Sequence, residues 1–131
     1  MQSIQATRRV VNCNTNLGIV LLFAPLCQAV QSCETFDELP ERLQVVLNNL
    51  TVDDAIDCYQ AIRLAEAGGL GKQDQQDISA VPTITLLEAM DLAKNRDQIA
   101  QQYINNFNTL WDLSLPSLTK AITSGESVEW A

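Results

Sequence analysis

Two polar, glycine-bearing interruptions in an otherwise apolar chain hold the residue types that could handle a charged small molecule. The first is Asn14-Thr15-Asn16-Leu17-Gly18, where small polar side chains stop abruptly against the most apolar run in the protein, Ile19 to Leu26. Asn and Thr side chains accept hydrogen bonds from the first N–H groups of a helix. The positive end of that helix is in turn a natural seat for an anion such as a phosphate. Gly18, which has no Cβ, lets another backbone or a ligand come close. The plainer alternative is an ordinary capped core helix. The second interruption is Gly68-Gly69-Leu70-Gly71-Lys72, followed by Asp74 and Asp77. Backbone N–H groups in such a loop can approach a phosphate, and Lys72 can contact one as a point charge. Asp74 and Asp77 are close enough in sequence to share a Mg²⁺ ion. The glycine spacing matches neither a Walker A nor a dinucleotide fingerprint. The alternative for this loop is a helix C-cap followed by solvated side chains.

What the chain lacks narrows the chemistry further. It has no histidine, which removes the commonest general base and metal ligand. Neither a zinc site of the usual kind nor a Ser-His or Cys-His pair can be built from this chain alone. Sixteen acidic residues against eight basic ones give a net charge of −8. That balance argues against phosphate-neutralising nucleic-acid binding and against adhesion to an anionic membrane. Cys13, Cys27, Cys33 and Cys58 show no C-x-x-C spacing. They read as reduced, mostly buried small residues of a cytoplasmic protein. Arg8-Arg9 precedes the apolar run, but the intervening Asn-Cys-Asn-Thr-Asn does not suit a signal peptide and no A-x-A site follows. The run is also too short to span a bilayer.

The elements that must position these residues are helical. The spacing predicts a short leading helix over Met1 to Val11, then a helix from Leu17 to Val30, apolar nearly all round and so buried on every side. Pro25 is expected to kink or break it. Asp37 and Pro40 open a helix whose Leu43, Val46, Leu47 and Leu50 fall at i, i+3, i+4, i+7. Thr51 caps the next helix, with Asp53 and Asp54 in its first turn and Val52, Ala55, Ile56, Tyr59 and Ile62 as its buried stripe. Arg63 ends that helix, where a cation offsets the dipole. A long polar loop from Ala67 runs to Val81-Pro82, and loops of that length in compact domains are functional or disordered. A helix through Leu86, Leu87, Met90 and Ala93 follows, with Glu88 on its polar side. After a break near Asn95–Asp97 comes a helix with Ile99, Tyr103, Phe107 and Leu110 on one stripe. Gln101, Gln102, Asn105 and Asn106 form an amide-rich face opposite, and Pro116 starts a last helix. No stretch alternates with period two long enough to be a strand. The expectation is an all-α, single compact domain over 1–131, built around a buried central helix, which would bury about two-thirds of its extended-chain surface.

Asn14-Thr15-Asn16-Leu17-Gly18, continuing Ile-Val-Leu-Leu-Phe-Ala-Pro-Leu, resembles the central motif of the triphosphoribosyl-dephospho-CoA synthase family, in its Asn-Thr-Asn-Leu-Gly branch. Ala61-Ile62-Arg63-Leu64-Ala65, Gly68-Gly69-Leu70-Gly71, Thr85-Leu86-Leu87-Glu88-Ala89-Met90 and Arg96-Asp97-Gln98-Ile99-Ala100 followed by Gln102-Tyr103 agree with it in order. Family members are longer and carry an earlier Lys-Pro-Gly motif that is not found here, so the chain reads as the later part of the family pattern.

The resemblance implies transfer of the triphosphoribosyl group of ATP to dephospho-CoA, with release of adenine. It implies nucleotide contacts from Asn14, Thr15, Asn16, Gly18, Arg63, Gly68, Gly69, Gly71 and Lys72. Asp74 and Asp77 would be the catalytic carboxylates and would hold Mg²⁺. The partners implied are ATP and a dephospho-CoA-like acceptor, with no nucleic acid and no membrane. Without the family's earlier helices, apolar surface of Leu17–Val30 would stay open, and a homo-oligomer or a complementing segment is expected to cover it. The alternative is a non-catalytic nucleotide-binding or oligomer-forming relative.

Overall fold

The computed structural model describes residues 4–6, 9, 16–66 and 81–125. Among these residues every regular element is a helix and no strand occurs, as the sequence predicts. The elements are α1 (Leu17–Val30), a 3-10 turn (Phe36–Glu38), α2 (Leu39–Asn48), α3 (Val52–Glu66), α4 (Leu86–Ala93), α5 (Gln98–Ile104), a π-helical segment (Leu110–Ser114) and α6 (Leu115–Ser124). Residues 4–6 and 9 are also helical, and Ile4 is buried. None of the described helices is long and apolar enough to cross a membrane.

α1 packs chiefly on α2, and α4 chiefly on α5, with α3 between α1 and α4. α2 shows how sequence becomes packing. Pro40 sits in its first turn, where its missing N–H costs nothing. Leu39, Leu43 and Leu47 recur on one face and are all buried, and Val46 and Leu50 flank them half-buried. Each such leucine stabilises the fold by about 1.5–3 kcal/mol through apolar burial. On α3 the deepest residues are Ala55, Cys58, Ala61 and Ala65, while Ile56, Tyr59 and Ile62 are only half-buried. The predicted stripe therefore sits about one side chain off the true one. Small side chains face the centre because they let the helix axis approach its neighbours closely.

The N-termini of α3 and α4 lie together. Thr51 and Asp54 form a reciprocal cap: the Thr51 N–H and Oγ donate to Asp54 Oδ2 at 2.7 and 2.8 Å, and the Asp54 N–H donates to Thr51 Oγ. Thr85 and Glu88 repeat the device on α4, the capping box of a Thr-x-x-Glu sequence. The Leu86 N–H then donates to the Thr51 carbonyl at 3.1 Å, tying the two caps together. Asp97 caps α5, its Oδ1 accepting from the N–H groups of Ile99 and Ala100 at 2.7 and 3.0 Å.

Four expectations need correction. First, α1 is not buried on every side: Ile19, Phe23 and Val30 are each more than half exposed, while Pro25 and Ala29 are the buried positions. An apolar helix can lie on a surface when the described chain has no further element to cover it. Second, of the kink or break expected at Pro25, the break does not occur: α1 runs through it without ending. Pro25 has no N–H to give the Leu21 carbonyl four residues earlier, and the Tyr103 hydroxyl donates to that carbonyl at 2.7 Å instead. Third, the helix predicted through Leu110 ends at Ile104, because Asn106 and Phe107 both adopt left-handed backbone (φ 54° and 59°). The reversal drives Phe107 into the core at 2 % exposure, with its ring 5.7 Å from that of Tyr103. Fourth, the cysteines are not mostly buried: Cys58 is, Cys33 is half-buried and Cys27 is exposed, all three as free thiols. Cys13 lies outside the described residues.

Candidate functional site

Three of the predicted site residues lie within the described structure. Asn16 takes the N-cap position of α1, and its carbonyl accepts the first helical bond from Val20 N–H at 2.9 Å. Its side chain makes no capping bond, contrary to the expectation. The first turn of α1 contains no acidic residue, so its positive end is not offset there by a carboxylate. Gly18 is used for close approach, and the neighbour is a protein side chain: a Cβ at this position would stand 3.2 Å from Ile99 Cδ1 of α5. Arg63 lies in the last turn of α3, where its charge complements the helix dipole, and its side chain is half-buried. Asn14, Thr15, Gly68, Gly69, Gly71, Lys72, Asp74 and Asp77 lie outside the described residues. Among the described residues no cluster of three or more His, Cys, Asp or Glu could hold a metal ion.

The structure adds a feature that sequence reasoning did not single out. A cavity of about 610 Å³ opens between α2, α4 and the end of α5, within the size range of small-molecule sites. Its polar lining comes from the amides of Gln44, Asn48 and Asn106 and the carboxylates of Glu88 and Asp91. Glu88 is held below the usual carboxylate range by the N–H and hydroxyl of Thr85, and so is ionised at neutral pH. Asp91 pairs with Lys94 at 2.6 Å. Tyr103 reaches from this wall towards α1, and burial raises its hydroxyl well above the ordinary range, so it remains a proton donor.

Asn106 is the joint of this cavity. Its Nδ2 donates to the Pro40 carbonyl at the start of α2, at 3.2 Å, and its own carbonyl accepts from Trp111 Nε1 at 2.8 Å. Because the Pro40 oxygen is an acceptor, the amide orientation is set, and Oδ1 is the group left over. That oxygen is buried without a donor, a condition that costs about 1–3 kcal/mol. The signal in the sequence was the Asn105-Asn106 pair, since asparagine tolerates left-handed backbone better than most residues.

These features define a class: an all-helical protein with Asn16 and Gly18 at the start of one helix and an amide-lined cavity between others. The family model for CitG, ATP:dephospho-CoA triphosphoribosyl transferase, matches residues 1–131, and the chain belongs to this family. The resemblance read from the Asn14–Gly18 motif and its companions is thereby borne out. No curated protein and no solved structure matches the chain. The family's printed activity makes it a transferase family, with ATP and dephospho-CoA as substrates.

Proposed function

We propose that this chain transfers the triphosphoribosyl group of ATP to a ribosyl hydroxyl of dephospho-CoA. The match to the transferase family over residues 1–131 carries this reading. The hydroxyl oxygen forms a bond to C1′ of the ATP ribose as the C1′–N9 bond breaks. The bonding electrons leave on adenine, which takes up the proton that the hydroxyl gives up. The chemistry asks for a carboxylate to receive that proton and for fixed positive groups along the triphosphate.

In this reading Asp74 and Asp77 supply the carboxylates and are also the candidates to hold Mg²⁺, which when bound neutralises phosphate charge. The described residues offer no competing metal cluster to test that assignment against. Asn16 and Gly18 stand at the positive end of α1, whose first turn without an acidic residue supports a phosphate-binding role for them, and this reading extends the role to Asn14 and Thr15. Gly68, Gly69 and Gly71 offer backbone N–H groups, and Lys72 and Arg63 offer charge. The exposed apolar residues of α1 support self-association as a homo-oligomer, and three free thiols suit a reducing, cytoplasmic setting.

The test is adenine release from ATP in the presence of dephospho-CoA, together with ATP binding with and without Mg²⁺. Asp77→Asn is expected to weaken Mg²⁺-dependent binding by about 1–3 kcal/mol, the loss of a charge-assisted contact, with an unchanged helical spectrum. ATP turnover that yields ADP and no adenine would overturn the assigned reaction.

A further inference from the structure

The cavity between α2, α4 and α5 is chemically unlike a phosphate site. Among the described residues no lysine or arginine lines it, and two carboxylates, Glu88 and Asp91, do. The lysine nearest in sequence, Lys94, is already paired with Asp91. A phosphate entering would meet like charge from both carboxylates.

A flat, uncharged ring with amino donors and ring-nitrogen acceptors meets the opposite situation. Leu47, Ile84, Leu87 and Ile104 offer aliphatic surface for its faces. Gln44 and Asn48, one helical turn apart on α2, present amides that can donate and accept at once. Asn and Gln amides pair with adenine in this way, through its exocyclic amino group and ring N7. Asn106, on the opposite wall, adds a third amide to the lining.

We propose that this cavity binds the adenine base of a nucleotide, with the phosphates directed out of it. The assignment rests on the transferase reading above, because both family substrates, ATP and dephospho-CoA, carry adenine. The shared chemistry is the base, and either nucleotide could bring it.

The experiment is equilibrium binding to the full chain of four probes: free adenine, ATP without metal, dephospho-CoA and inorganic triphosphate. Adenine is expected to bind, and inorganic triphosphate is expected not to compete with it. Ile84→Trp, which fills the cavity from the segment before α4, should weaken adenine binding at least tenfold. Gln44→Ala, a change at an exposed side chain, should weaken it several-fold and decides the matter if the tryptophan variant fails to fold. Displacement of adenine by ATP alone or by dephospho-CoA alone identifies which substrate places its base here, and displacement by neither overturns the proposal. So does adenine affinity that is the same in the wild type and both folded variants. Adenine binding without any adenine release would count against the transferase reading and leave the cavity assignment standing. Adenine release with adenine binding unaffected by the cavity variants would do the reverse.

Discussion

The Tyr103 hydroxyl donates to the Leu21 carbonyl at 2.7 Å, across 82 positions of sequence. Leu21 needs that donor because Pro25, four residues on in α1, has no N–H. One proline thus sets a requirement on a different helix, and α5 meets it with the Tyr103 hydroxyl. Tyr103→Phe should cost about 1–3 kcal/mol, the penalty for a buried carbonyl left unpaired. In a Pro25→Ala background the helix regains its own N–H donor, and the same change should cost clearly less. Denaturant unfolding of the four proteins checks this, and additive effects would show that the two residues are independent.

Gly18 separates packing from ligand approach. Alanine there gains up to about 1 kcal/mol in helix propensity, offset by contact with Ile99 Cδ1, the flexible end of a side chain. The expected net change in stability is within about 1 kcal/mol either way, read from the thermal midpoint. If backbone N–H groups at this turn hold phosphate, Mg²⁺-dependent ATP binding should fall several-fold in the same folded variant.

Cys58 predicts a pH dependence. Burial, and then the nearby Asp97 carboxylate, push its thiol up to about 11 from its ordinary 9.0. The unfolded chain therefore releases this proton at lower pH than the folded one. The stabilisation is complete below pH 9.0 and is lost as pH rises through about 11. The buried Tyr103 hydroxyl acts in the same direction. Unfolding free energy measured from pH 8 upwards, on a scale of roughly one pH step, should decline, and less steeply in Cys58→Ala. In thiol labelling of the native protein, exposed Cys27 should react well before Cys58.

The open face of α1 predicts association. Ile19, Phe23 and Val30 are more than half exposed on a helix that has no charged residue. Phe23→Glu should shift sedimentation at micromolar concentration towards the monomer with little change in thermal stability. A wild-type chain already monomeric under those conditions would exclude the homo-oligomer.

The sequence by itself determined the all-α architecture, most helix limits and the family, because these follow from local signals. Leu43 and Leu47 recur at helical spacing, Thr51 and Asp54 announce a cap, and Pro116 marks a first turn, each within a few residues of what it controls. The Thr85-x-x-Glu88 box is just as local, but the sequence reading placed Glu88 only on the polar side of its helix and the structure showed the cap. The stripe of α3 was right at Ala55 and off elsewhere because periodicity weighs hydrophobicity, whereas the small Cys58, Ala61 and Ala65 are the side chains buried against neighbouring helices. The open side of α1 was invisible for a related reason: composition says that a helix is apolar, not how many partners it finds. Only the tertiary structure decided that Gly18 meets Ile99, that Tyr103 repairs the gap left by Pro25, and that Gln44, Asn48 and Asn106 line one cavity. Each joins residues far apart in the chain, through contacts that form only once the helices have packed.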